Sequence, residues 1–338
     1  MILVTGGTGL VGSHLLYQLT VKNENIKAIY RTETSFVTVK KIFSYFTDDV
    51  DSHFSKIDWI QADITDIPSL TEAFKDVSIV YHAAALVSFD AKEYRKMRQI
   101  NIEGTANIVN KCISNSVKKL CYVSSIAAIG NAINNEIVTE ENEWNKESNN
   151  NGYAITKHGA EMEVWRGSQE GIDVIIVNPG VILGAGFWDL NTGQLFSKVA
   201  KGFSLYSDGV TGFVGVKDVA KAMIQLTQSS VKNEQFVLVA ENNSFREIFT
   251  LIANQFGKKP PTIRVSKTLS NFLRRADAVV TFITRKKRLI TKDSVKSLHG
   301  KTYYSSEKII KKIGFNFKST EEVIEEVCAI YKKENKVK

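Results

Sequence analysis

The tightest constraint on this chain is a glycine-patterned turn that follows its first few residues. Ile2-Leu3-Val4 leads into Thr5-Gly6-Gly7-Thr8-Gly9-Leu10-Val11-Gly12, so Gly6, Gly9 and Gly12 fall in a GxxGxxG spacing before a helical pattern near 10–21. Glycines so placed permit a tight turn, let the backbone approach a pyrophosphate and seat the helix against the strand. The amides of the first helical turn, from Thr8 to Gly12, have no internal acceptors and are free to bind phosphate. An ordinary strand-to-helix turn shows the same glycines. The apolar run before them and the helix after them are the context a dinucleotide site requires.

The first half then alternates short apolar runs with helical patterns. Strands are expected at 26–30, 59–62, 79–82, 120–123 and 174–177, with helices near 68–75, 92–115 and 153–170. Such alternation implies βαβ units and an α/β fold: a Rossmann, doubly wound parallel sheet with its ligands at the carboxyl ends of the strands. After Gly180 the alternation breaks down. The expected division is a dinucleotide-binding domain over 1–180 with a returning segment about 212–240. Residues 181–211 and 241–338 then form a smaller C-terminal substrate-binding or lid region. The loop 131–152 carries eight Asn and is expected to be exposed and mobile.

Composition narrows the class. At 338 residues and 43% hydrophobic, the chain can bury a large core, and 24% charged residues is ordinary for a globular protein. Cys112, Cys121 and Cys328 show neither CxxC nor metal-ligand spacing, so reduced thiols and no metal site are expected. With no signal-like segment and no run of about 18 apolar residues, a cytoplasmic, non-spanning protein is expected.

The net charge of +8 is local in origin. Residues 258–301 hold thirteen Lys and Arg against Asp277 and Asp293, an excess of +11 that leaves the remainder near −3. Within it, Leu269, Phe272, Leu273, Ala276, Val279, Val280 and Ile283 recur at helical spacing, with Arg285-Lys286-Lys287-Arg288 following. One reading is a basic amphipathic helix over 267–288 in peripheral contact with an anionic membrane. The other, preferred on the commonness of amphipathic surface helices, is a packed lid with a solvated charged face. Nucleic-acid binding would need aromatic interleaving or a known module, and neither is visible.

Reactive groups follow the second strand. An acid at its end would bind a ribose 2′-hydroxyl, and an arginine would accommodate a 2′-phosphate. Arg31 therefore favours NADP, although Glu33 could fold back and leave NAD possible. Tyr153 and Lys157 lie at i and i+4 on one helix face. A free phenol titrates near ~10, and a neighbouring ammonium stabilises phenolate. Tyr122-Val123-Ser124-Ser125 is a buried-type strand ending in hydroxyls, which can hydrogen-bond a substrate oxygen or simply cap a turn. Asn101 could order a relay water or sit as a polar residue on its helix.

As a set, TGGTGLVG at 5–12, Asp63-Ile64-Thr65-Asp66, His82-Ala83-Ala84-Ala85, Asn101, YVSS at 122–125, YxxxK at 153–157 and Asn178-Pro179-Gly180 make the chain resemble the extended short-chain dehydrogenase/reductase superfamily, over residues 1 to about 225. The resemblance implies Asp63 and Ile64 near an adenine, and Ala83, Ala84 and Ala85 beside ribose and phosphates. It also implies a Ser-Tyr-Lys catalytic group, with Ser125 as the serine, Ser124 on the cofactor side, and Pro179, Gly180 and Val181 along the cofactor. Dimerisation through the helices bearing Asn101 and Tyr153 is likewise an implication. Asn178 to Gly184 and Gly212 to Ala220 look more like the dihydroflavonol-reductase and 3β-hydroxysteroid-dehydrogenase-like branch than like nucleotide-sugar epimerases, which place an arginine before the second stretch where this chain has Ser207 to Gly212.

The expected activity is NADP(H)-dependent reduction of an apolar carbonyl, or oxidation of its alcohol. The substrate is expected against Val87, Phe89, Phe187, Trp188 and Phe213, residue types that equally suit a core. The rival readings are a nucleotide-sugar epimerase or dehydratase with tightly bound NAD, and a non-catalytic NADP-binding regulatory protein.

Overall fold

The computed structural model describes residues 1–130, 136–284 and 291–336. Among the described residues there are twelve strands: β1 (Ile2–Thr5), β2 (Ile26–Tyr30), β3 (Ile57–Gln61), β4 (Ile79–His82), β5 (Lys119–Val123), β6 (Asp173–Pro179), β7 (Val181–Leu183), β8 (Leu205–Tyr206), β9 (Val210–Gly215), β10 (Glu234–Leu238), β11 (Glu241–Ser244) and β12 (Ile263–Arg264). Seven of them form one sheet in the order β10-β6-β5-β4-β1-β2-β3. Every neighbour in it is parallel, which makes a Rossmann-like α/β fold, as the alternation predicted. The order reverses between β1 and β4, and that switch point opens the ligand crevice of doubly wound sheets.

Helices cover both faces, so the strands read as near-continuous apolar runs. The two-residue period divides them. Val4, Tyr81, Cys121, Val123, Ile175 and Val177 join one core with side chains of the helices Leu10–Val21, Phe36–Phe43 and Val216–Gln228. Leu3, Val80, Leu120, Tyr122, Val174 and Ile176 join the other, with side chains of Gly104–Ser114 and Gly152–Gln169.

The helix expected over 92–115 is not continuous. It begins as a 3-10 turn (Ala91–Glu93) and one α turn (Tyr94–Met97), passes through a π turn (Arg98–Glu103) and becomes α-helical again over Gly104–Ser114. A π turn inserts one residue, a change that hydrophobic periodicity does not register. Asn101 sits in that turn and is buried.

A third core gathers Leu183, Phe196, Phe213, Ile248, Ile252 and Ile324 around a small sheet, β11-β9-β7. Between β9 and β11 the chain supplies β10 to the edge of the large sheet, where it pairs with β6. The last helix, Thr320–Asn335, returns to the N-terminal region: the Glu334 carboxylate accepts from the Tyr45 hydroxyl and the Trp188 indole, and Lys41 lies 2.9 Å away.

The amphipathic segment is helical over Lys267–Thr284. Ser270 hydrogen-bonds His299 at 2.8 Å, and Phe272 is 67% exposed. Arg285 to Arg288 and the Asn-rich stretch 131–135 lie outside the described residues. Among the described residues no helix is long and apolar enough to cross a membrane, and no group of three or more His, Cys, Asp or Glu is arranged to hold a metal.

Candidate active site

The glycine turn is built so that two backbones touch. Gly6 adopts φ +69°, and a Cβ there would lie 2.6 Å from the amide of Ala84. A Cβ on Gly12 would fall 2.1 Å from the Gly6 carbonyl. Gly9 donates to that carbonyl at 3.0 Å and then caps the helix Leu10–Val21 without a side-chain bond, so the amides of its first turn face the crevice uncovered by a capping side chain. Ala83 donates to the Thr5 carbonyl at 3.1 Å, which lays Ala83 and Ala84 along the turn, with Ala85 exposed beyond them. These features fit a pyrophosphate: a cradle that admits no Cβ, and unspent donors.

At the far end of the crevice, Arg31 is exposed just past β2. Asp63 follows β3, and its carboxylate accepts from the Thr65 amide at 2.9 Å and hydroxyl at 2.7 Å. Burial pushes the Asp63 carboxyl up, but the Thr65 bonds and the Arg31 charge outweigh it and hold the group below its ordinary value. Ile64 is buried against Gly104, where a Cβ would lie 2.7 Å from its side chain.

Ser125 lies two residues past the end of β5, and Tyr153 and Lys157 lie on the helix Gly152–Gln169. Ser125 caps a 3-10 turn, its hydroxyl accepting from the Ala127 amide at 3.1 Å with its proton left to donate. Asn151 caps the long helix through the Ala154 amide at 2.8 Å, which fixes Tyr153 in the first turn. Burial lifts the Tyr153 phenol above its ordinary value, and a hydrogen bond with Ser125 opposes that.

Lys157 is not turned toward Tyr153. Its Nζ donates to the Tyr122 hydroxyl at 2.5 Å and to the Val123 carbonyl at 2.7 Å. Burial lowers its pKa to about 7 against the opposing pull of Glu161. Ser124 is buried, its amide donating to the Val177 carbonyl at 2.7 Å.

Asn101 spends its side chain on structure: it exchanges two hydrogen bonds with Leu86 and donates a third to Thr156 at 3.1 Å. Gly180 passes so close to Gly212 that a Cβ would lie 2.4 Å from the Gly212 carbonyl, and Val181 pairs with Phe213. The Pro179 carbonyl end of β6 therefore leads straight into the small sheet.

Of the apolar residues expected around the substrate, Phe89 is the one placed beside Tyr153, the two ring centres 6.0 Å apart in an edge-on arrangement, and it is 41% exposed. Val87 is exposed on the same loop, and Phe187 is partly buried. Trp188 and Phe213 are core residues instead. Trp188 packs edge-on to Tyr331 and bonds Glu334, while Phe213 is 0% exposed and packs against Phe245. An aromatic ring reads alike in a core and in a pocket, so the sequence pattern could not separate the two.

Two groups of residues escaped the sequence reading. His82 bridges Thr5 at 2.6 Å and Thr105 at 2.9 Å, and burial drives its pKa down to about 3, so it is neutral. Glu161, one turn beyond Lys157, accepts from Asn178 at 2.6 Å. Burial raises its pKa to about 7. The i, i+4 spacing to Lys157 was the available signal for Glu161.

The sheet order, the glycine cradle and the hydroxyl pair at the strand ends define an NAD(P)-dependent enzyme of oxidoreductase type. The chain belongs to the NAD dependent epimerase/dehydratase family, whose pattern matches residues 2–240, in accord with the extended short-chain dehydrogenase/reductase resemblance of its motifs. It is similar to a putative dihydroflavonol 4-reductase of Synechocystis, 24% identical over 319 residues that cover 92% of this chain and 88% of that one. Among solved structures it resembles gox2253, with TM-score 0.82, 22% identity and coverage of 100% and 99%. It also resembles the UDP-glucose 4-epimerase of Thermus thermophilus in complex with NAD, with TM-score 0.73, 18% identity and 98% of each chain covered.

Proposed function

We propose that the protein is an NADP(H)-dependent reductase of an apolar carbonyl compound, working through Ser125, Tyr153 and Lys157. The observation that carries this reading is the meeting of the Ser125 and Tyr153 hydroxyls at the carboxyl end of β5, with the Phe89 ring against the phenol. The dinucleotide, when bound, supplies or accepts the hydride. The glycine cradle holds its pyrophosphate, with Ala83 to Ala85 and Pro179 to Val181 alongside, Asp63 and Ile64 at the adenine, and Arg31 at a ribose 2′-phosphate. Residues 1–180 and 212–240 serve this binding, and 181–211 with 241–338 serve the substrate.

In the reducing direction Ser125 donates a hydrogen bond to the carbonyl oxygen, and Tyr153 delivers the proton that makes it a hydroxyl. A phenol lifted by burial keeps its proton at neutral pH, as a general acid must. Lys157, held on β5, keeps a donor for the nicotinamide ribose. Val87, Phe89 and Phe187 line an apolar approach.

The putative dihydroflavonol reductase among the relatives supports this direction. The buried, unpaired cysteines fit the cytoplasm, the helix Lys267–Thr284 acts as a lid, and the protein pairs with a second copy through the helices bearing Asn101 and Tyr153. The test is consumption of NADPH with a panel of apolar ketones and aldehydes, compared with NADH. No turnover on the panel, or tighter binding of NADH than NADPH, removes the reading.

A nucleotide-sugar epimerase is the second reading. It is favoured by Arg264, paired with Asp208, and Arg246, 4.9 Å over the Tyr206 ring, which bring cations to the stretch around Ser207 to Gly212 where the sequence lacks one. Purified protein carrying bound NAD, with no net consumption of NADPH, would select it.

A further inference from the structure

We infer that Tyr122 is a positioning residue for Lys157: its hydroxyl, together with the Val123 carbonyl, holds the lysine as an ammonium aimed at the cofactor side of the site. The inference rests on the reductase reading for its consequence in turnover, but the pairing itself can be measured without turnover.

Lys157 is 1% exposed, and an ammonium there survives only if its donors are met. It has three. One goes to the Tyr122 hydroxyl at 2.5 Å and one to the Val123 carbonyl at 2.7 Å, while the ammonium lies 4.3 Å from the centre of the Tyr122 ring. The two fixed acceptors set the direction of the third donor, which the proposed reaction needs for a ribose hydroxyl.

Toward the Lys157 ammonium the Tyr122 hydroxyl acts as an acceptor. It is 0% exposed, and burial raises its pKa well above the ordinary phenol range, so it stays neutral and cannot compete as a charge. It is held in turn from behind. The His82 ring from β4 lies tilted against the Tyr122 ring, centres 5.3 Å apart, and is itself clamped between the Thr5 and Thr105 hydroxyls. The carboxyl ends of β1, β4 and β5 are thus tied to the lysine through one chain of neutral contacts, which starts at the residue preceding the glycine turn.

The titratable groups that bear on Lys157 are few. Glu161 and Tyr153 lie on its own helix, Tyr122 on β5 and His82 on β4. His82 is kept neutral by burial and by the lysine charge itself, and Glu161 favours the ammonium. Removing the Tyr122 hydroxyl takes away an acceptor that the ammonium uses and amine does not need, so the lysine should lose its proton at lower pH.

The experiment is Tyr122→Phe, with 3,5-difluorotyrosine at position 122 as an isosteric second variant in which the oxygen is a weaker acceptor. The Lys157 side chain is titrated by NMR in protein labelled with 15N-lysine, and kcat/KM is followed against pH. In Tyr122→Phe the lysine titration and the alkaline limb of kcat/KM should both move down by about one pH unit. In the fluorinated form, whose phenol is also more acidic, the lysine titration should move as well. An unmoved Lys157 titration in both forms, or a rate lowered evenly at every pH, overturns the inference and leaves Tyr122 a packing residue. A shifted lysine in a protein whose wild type turns over no carbonyl upholds the pairing and removes the reductase reading alone.

Discussion

Asn101 and Leu86 exchange two hydrogen bonds, the Asn101 Oδ1 accepting from the Leu86 amide at 2.7 Å and its Nδ2 donating to the Leu86 carbonyl at 3.0 Å. With the further bond to Thr156, this one side chain fastens the loop after β4 to the helix that carries Tyr153 and Lys157. Asn101→Ala should leave the part-buried Leu86 amide and carbonyl without these partners and cost about 1–3 kcal/mol. Hydrogen exchange at residues 86–90 should rise with it, and a loop that exchanges as slowly as before would contradict this role.

Tyr153→Phe keeps the ring against Phe89 and removes only the proton donor. Turnover should fall by about 10²–10⁴-fold, the usual contribution of a general acid. NADPH affinity, read by fluorescence titration, should stay nearly intact. Retained turnover would take Tyr153 out of the chemistry.

Gly6 and Gly171 both have positive φ, at +69° and +98°, but only Gly6 has backbone within reach of an added Cβ. Alanine at either site should cost about 1–2 kcal/mol for the left-handed backbone. Gly6→Ala must in addition push Ala84 away, so it alone should weaken NADPH binding, by about tenfold or more. Equal affinities in the two variants would show that the cradle is not the phosphate site.

Glu161 is held up at about 7 by burial, above the value of about 4.3 in an unfolded chain. Between these values the folded protein keeps a proton that the unfolded chain has released, so this carboxyl lowers stability as pH rises through that window. Lys157, lowered to about 7, adds its own titration only above it. In Glu161→Gln that decline should vanish. Urea unfolding at pH 4.5 and pH 7 should show the variant gaining on the wild type by on the order of 1–3 kcal/mol across the window. Parallel stability curves would mean that Glu161 is already ionised when buried.

The parts of this molecule that were legible in the sequence are those with a period or a fixed spacing. β2 and β4 fall on the predicted residues, because fully buried parallel strands are short apolar runs bounded by turns. Gly6, Gly9 and Gly12 announced their turn through the absence of side chains. What stayed hidden depends on which neighbour a side chain meets. Lys157 pointed to Tyr153 by helical spacing, yet its ammonium goes to Tyr122, thirty-five residues away in sequence. Phe89 and Phe213 are the same residue type, and only the fold separates a ring exposed beside a phenol from one sealed in a core. The single-residue insertion at Asn101 left the hydrophobic pattern unchanged while redirecting the side chain.

β10 enters the large sheet last, after the chain has travelled through the smaller layer, and it covers the outer edge of β6 over five residue pairs. A gene fragment cut at Gly180 would therefore be translated with β6 as a bare edge, its amides and carbonyls open to any passing strand. Such a fragment should clump when expressed. A circularly permuted or spliced version that brings 210–240 back beside β6 should remain dispersed, so the natural unit for transplanting this nucleotide-binding half is discontinuous in the gene.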